Sequence, residues 1–157
     1  MELTSGAFRD GERMPSKHTC DGANTHPPLS WDGVPEGTRS LALIMEDPDV
    51  PRQLRPDGMF DHWLHWNIPA SARAVGEGEE LPGVSGKTTH GMRGYFGPCP
   101  PDREHRYFFK LYALDTLLDL SPDATKDELL DAADGHVLDR AELVGRYERA
   151  RRKGIPR

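Results

Sequence analysis

Apolar residues in this chain come in short blocks separated by turn residues, with little of the three-to-four spacing of amphipathic helices. Ser40 to Glu46 reads SLALIME, an almost unbroken apolar run. It is too short for a typical helix and fits a strand buried on both faces. Two prolines and two carboxylates, in Asp47-Pro48-Asp49-Val50-Pro51, end it in a rigid turn. Phe60 to Ile68, FDHWLHWNI, alternates. Strict alternation puts Phe60, His62, Leu64 and Trp66 on one face and Asp61, Trp63, His65 and Asn67 on the other. Large rings on both faces predict a second central strand, which Pro69 ends. Gly94 to Leu114, GYFGPCPPDREHRYFFKLYAL, divides in two. Its glycines and prolines exclude a helix in the first half, and the second half alternates as a buried strand.

Around these three blocks the pattern is weaker. Residues 1–38 carry Gly, Pro, Asp and Asn every few positions, which predicts short strands joined by turns. Leu29-Ser30-Trp31, after Pro27 and Pro28, is expected as an edge strand. Residues 52–58 and 70–93 have loop composition. One helix is well marked: Thr125 and Glu128 form a capping-box pattern, Leu129, Leu130 and Ala133 an apolar stripe, and Gly135 a left-handed terminator. Residues 141–148 alternate and are expected as the last strand, with a helix as the rival reading.

The chain has 157 residues, suited to one domain over residues 1–157, and its 36% hydrophobic content supports an adequate core. A formal net charge of -6 argues against a broad nucleic-acid surface; the basic end RARRKGIPR reads as a solvated tail. No apolar run approaches ~18 residues, so no membrane span is expected. The polar start ELTSGAFRDG lacks the apolar core of a signal peptide, and a cytoplasmic location is expected. There Cys20 and Cys99 would remain thiols, with one disulfide between them as the alternative.

The candidate chemistry lies where the strands end. Asp47 and Asp49 close one strand, His62 lies in a second, and His105 and Tyr107 open a third on one face. Taken singly, each has an ordinary role: an Asp before Pro starts a turn, a strand His or Tyr packs. If the strands are neighbours, the five converge. An Asp bonded to one imidazole nitrogen favours the protonated ring and leaves the other N–H as a donor into a cavity. Backbone N–H groups near Gly97 and Cys99 add donors, so a phosphate-like anion fits. Two enzymatic readings are weaker. His62, His105 and an Asp have the donors of a three-ligand zinc site, but no HExxH is present, and His62 and His65 fall on opposite faces. Cys99 lies near His105, but no third group marks a nucleophile.

These segments resemble those of the phosphatidylethanolamine-binding protein family, in its prokaryotic Raf-kinase-inhibitor-like branch. Asp47–Pro51 is similar to the family's DPDxP segment. His62-Trp63 with Asn67-Ile68-Pro69 is similar to its HW…NIP segment. Gly94-Tyr95 and Gly97–Pro101 followed by His105-Arg106-Tyr107 are similar to GYxGPxPP…HRY. TCDGANTHPPLSW and GHVLDRAELVGRYER extend the likeness over nearly the whole chain.

The resemblance implies a mainly β fold: an antiparallel Greek-key two-sheet β-sandwich, one sheet large and one smaller, with one or a few short peripheral helices. It implies an anion pocket lined by Asp47, Asp49, His62, Gly97, His105 and Tyr107, taking a small phosphate-like anion or a phospholipid head group, without a metal or cofactor. Relatives act by binding, so the resemblance implies a soluble non-enzymatic binding protein, with regulation of a protein partner and a homodimer as further expectations. Inhibition of a kinase or peptidase is the alternative, and a metal-assisted hydrolase a more distant one. Two departures stand out. Asp102, Arg103 and Glu104 put charge beside the pocket where many relatives are richer in glycine, and the eukaryotic C-terminal helix is not evident.

Overall fold

The computed structural model describes residues 1–150; the basic tail from Arg151 onward lies outside them. Its strands are β1 (Glu2–Thr4), β2 (Leu29–Asp32), β3 (Ser40–Asp47), β4 (Phe60–Pro69), β5 (Ala74–Val75), β6 (Val84–Ser85), β7 (His105–Leu114) and β8 (Val137–Tyr147). One helix, α1 (Lys126–Ala133), lies between β7 and β8. The large sheet has the order β6-β4-β3-β7-β8 and the small one β1-β2-β5, with antiparallel pairing throughout the named strands. The mainly β, two-sheet expectation therefore holds, with one short α-helix among the described residues, at the periphery, and one 3-10 turn at Ser16–His18.

β3 occupies the centre for the reason its composition gives: all eight of its residues are buried. Leu41, Leu43 and Met45 join Leu3, Trp31 and Val75 of the small sheet in the core between the sheets. Ala42 and Ile44 face the other way, onto Leu129 and Ala133 of α1. A strand apolar on both sides can only sit between two layers.

α1 has the capping box read from its sequence: the Thr125 hydroxyl accepts from the Glu128 N–H, and the Glu128 carboxylate accepts from the Thr125 N–H. Two details differ from expectation. Leu130 is 38% exposed, so the apolar stripe is narrower than drawn. β2 is not an edge strand but the middle of the small sheet, pairing β1 on one side and β5 on the other. Its prolines precede it, so they leave its ladder intact.

The cysteines also depart from expectation: Cys20 and Cys99 form a disulfide across 79 residues of sequence, with Cα atoms 5.4 Å apart. The physical reason is tertiary. The proline-rich segment folds down onto the first loop, where the Cys20 N–H donates to the Pro98 carbonyl, the Gly97 N–H to the Asn24 side chain, and the Tyr95 hydroxyl to the His18 carbonyl. Nothing in the local spacing of either cysteine signals that approach.

Candidate functional site

The C-terminal end of β3 and the N-terminal ends of β4 and β7 meet at one end of the large sheet, because the three strands pair antiparallel. A cavity of about 480 Å³ opens there. Its polar lining is Asp47, Arg55, His62, His90, His105 and Tyr107. Its apolar walls include Val50, Leu54, Phe60, Phe96 and Pro100. The size and the few converging polar groups among apolar walls suit a small ligand.

His62 reaches the cavity through an irregularity that strict alternation misses. Met45 pairs with Trp63, but Glu46 pairs with Asp61, so His62 is an extra residue in β4. This is the geometry of a β-bulge, which re-aims side chains. Trp63 therefore stays in the inter-sheet core while His62 lines the cavity beside Phe60 and Tyr107. Leu64 and Trp66, expected on His62's face, pack on the helix side instead. A second shift lies between Leu41 and Leu43, in the stretch where Asn67 takes φ 54° and bonds both the N–H and the carbonyl of Leu118.

The two cavity histidines have opposite charge states. The His62 Nδ1–H donates to the Phe96 carbonyl, which fixes the tautomer and leaves Nε2 as a lone-pair acceptor. Burial lowers its pKa to about 4, so the ring is neutral near pH 7. His105, by contrast, meets a carboxylate on each nitrogen: Asp47 Oδ2 at 2.6 Å from Nδ1 and Asp102 Oδ1 at 2.6 Å from Nε2. Two acceptors require two N–H donors, which only the imidazolium has. Burial alone pulls this ring's pKa down, but bonds and charges from Asp47 and Asp102 outweigh it and the net shift is upward.

Tyr107 is fully buried, and burial pushes its phenol pKa up, so the hydroxyl keeps its proton. That hydroxyl has no hydrogen-bond partner. Asp47 is buried, and its second oxygen accepts the Asp49 N–H at 2.7 Å.

The six residues expected at the site do not all converge. Asp47, His62, His105 and Tyr107 line the cavity together. Asp49 turns away: its carboxylate takes a two-point bond from the Arg106 guanidinium, at 2.8 and 2.9 Å, and a third bond from the Arg106 N–H. Gly97 is not among the lining residues either, and its N–H is committed to Asn24 Oδ1 at 2.8 Å. A side chain there would run into the His18 carbonyl oxygen, so its role is close packing. Arg103 extends to solvent. Arg55, His90 and Phe96 line the cavity without having been marked by sequence, since no periodic pattern ties their loops to the strands. The donor that His105 was expected to aim into the cavity is instead held by Asp102. The one sequence signal for that contact is the acidic residue three positions before the histidine. Among the described residues no group of three or more His, Cys, Asp or Glu is arranged to hold a metal ion. No described helix is long and apolar enough to cross a membrane.

Comparison with known proteins gives a consistent assignment. The family model for phosphatidylethanolamine-binding protein matches residues 4–148. A UPF0098 protein of Methanothermobacter thermautotrophicus is 49% identical over 155 residues, covering 95% of this chain and 99% of the relative. A UPF0098 protein of Chlamydia pneumoniae is 46% identical over 150 residues, covering 96% and 100%. The crystal structure of a phosphatidylethanolamine-binding protein homolog from Chlamydia trachomatis superposes with a TM-score of 0.93 at 46% identity, covering 95% of this chain and 97% of that one. E. coli YbcL, described as a member of the mammalian family, gives 0.85 at 32% identity, covering 95% and 98%.

Proposed function

Since the chain belongs to the phosphatidylethanolamine-binding protein family, we propose that it is a non-enzymatic binding protein whose cavity takes a phosphate-like head group carried on an apolar body. The observation that carries this reading is the Tyr107 hydroxyl, a buried donor at the cavity wall with no acceptor of its own. An unmade buried hydrogen bond costs about 1–3 kcal/mol, which a ligand oxygen recovers on binding. The imidazolium of His105 and the guanidinium of Arg55 favour that oxygen being anionic. A ligand hydroxyl, such as that of a phosphate monoanion, can donate to His62 Nε2. Val50, Leu54, Phe60 and Phe96 provide the apolar wall for the rest of the ligand.

The same geometry supports binding rather than turnover. His105 has both nitrogens engaged, and His62, with a pKa near 4, is a weak base. Neither is poised near neutrality as a general acid or base would be. For a protein partner or a second copy of the chain we assign the cavity rim, where Leu54 is 63% exposed; light scattering reads the second copy directly. The Cys20–Cys99 bond bears on location, because disulfides persist mainly in oxidising compartments. The cytoplasmic location we propose requires the bond to withstand the thiol pool there.

The test is a titration with inorganic phosphate and with a phosphomonoester, followed by NMR on the imidazoles of His62 and His105. Both rings are expected to shift at millimolar ligand, and Tyr107→Phe to weaken binding about fivefold to tenfold. No shift at either ring, with the fold intact, overturns the reading.

A further inference from the structure

We propose that Asp102 is a built-in competitor for the cavity: its carboxylate occupies the His105 Nε2–H that an incoming oxyanion needs, and ligand binding is an exchange of one for the other. This rests on the reading of the cavity as a site for an anionic head group.

The two carboxylates on His105 are held very differently. Asp47 belongs to β3, its side chain is 4% exposed, and its other oxygen is fixed by the Asp49 N–H. Nothing can replace it without opening the sheet end. Asp102 lies on a bend outside the strands, in a run from Pro101 to Glu104 that is exposed throughout, and its side chain is 39% exposed. Its second oxygen lies 3.8 Å from the Arg103 guanidinium, and the backbone N–H groups of Asp102 and Arg103 are the carboxylate's other partners. Rotation of this one side chain towards solvent, where Arg103 already extends, uncovers Nε2–H while Asp47 keeps the ring charged and in place. The inner clamp is permanent and the outer one replaceable.

The exchange sets both affinity and selectivity. A tethered carboxylate acts at a high effective concentration, so any free anion binds weakly against it. The exchange replaces one oxyanion on Nε2–H with another while Asp102 stays tethered nearby, so a simple carboxylate gains nothing over it. A phosphate-type anion gains, because it has further oxygens to offer Tyr107 and Arg55, which line the same cavity. Asp102 therefore selects phosphate-type ligands over carboxylates.

The experiment titrates inorganic phosphate and, separately, acetate into the wild-type chain, Asp102→Ala and Asp102→Asn, with the His105 ring nitrogens observed by NMR. Asp102→Ala is expected to bind phosphate about tenfold tighter or more than the wild type, and to respond to acetate where the wild type does not. Asp102→Asn keeps the side chain's bulk and is expected to gain in the same direction, by less. If Asp102 merely positions His105, both variants lose phosphate affinity, which overturns the proposal. Equal affinities overturn it too, while the anion reading of the cavity survives. If no form responds to phosphate, that reading falls and the competitor with it.

Discussion

On the β4 wall of the cavity His62 is neutral, its Nδ1–H given to a backbone carbonyl; on the β7 wall His105 is a cation between two carboxylates. Both rings are buried, 4% and 1% exposed, so the loss of water acts against the charged form in each. What separates them is the partner. A carbonyl accepts one proton and gives little to offset the desolvation of a charge. Two carboxylates more than offset it. A cavity with one neutral and one charged imidazole combines a lone pair and a cation in its lining, which two identical histidines could not.

The segment from Phe96 to Asp102 connects the walls: its first residue holds His62 and its last holds His105. Cys99, midway, ties it to Cys20. The largest effect is therefore expected from the double variant Cys20→Ser, Cys99→Ser. Releasing a closed loop of this length costs about 4 kcal/mol in the chain-entropy account, read from urea unfolding. Both histidine ring signals should move with it. A loss below about 1 kcal/mol would show that the hydrogen bonds of Pro98 and Gly97 hold the segment without the crosslink.

A second prediction follows from the opposite pKa shifts. His62 has a folded pKa of about 4 against about 6.5 unfolded, so only the unfolded chain binds this proton as pH falls. Stability should drop by about 3 kcal/mol between pH 6.5 and pH 4 from this ring alone. The folded pKa of His105 is raised, so the sign reverses. Its contribution is complete below pH 6.5 and is lost as pH rises through the folded value. Urea midpoints across pH should show His62→Gln flattening the acid limb and His105→Gln the alkaline one. A wild-type His62 that titrates near 6.5 by NMR would end the contrast between the walls.

The smallest effect serves as the control. Thr125→Ala removes the cap of α1, on the far face of the large sheet, and should cost about 1 kcal/mol in thermal unfolding. Both histidine titrations should stay where they were. Movement of either would mean that the helix side communicates with the cavity through β3.

Much of this architecture is legible locally. A doubly apolar heptapeptide, a Thr-to-Glu capping box and prolines at strand ends each act through neighbours a few residues away, so periodicity and turn chemistry find them. The site was half legible. Asp47, His62, His105 and Tyr107 converge as their strand-end positions suggest, whereas Asp49 is taken by Arg106 and Gly97 is a packing residue. Those differences come from contacts across 57 and 73 positions of sequence, which no local pattern carries.

By itself, then, the sequence determined the long strands β3, β4 and β7, where they stop, and which polar residues stand at their ends. Short-range sterics and burial decide those things. β5 and β6, two residues each within a stretch of loop composition, came only from pairing with remote strands. Only the tertiary structure decided that one extra residue turns His62 into the cavity, that Cys20 meets Cys99, and that Asp102 closes on His105. It also decided the two charge states, because a ring's protonation depends on the atoms brought within bonding distance of each nitrogen, and those atoms come from remote parts of the chain.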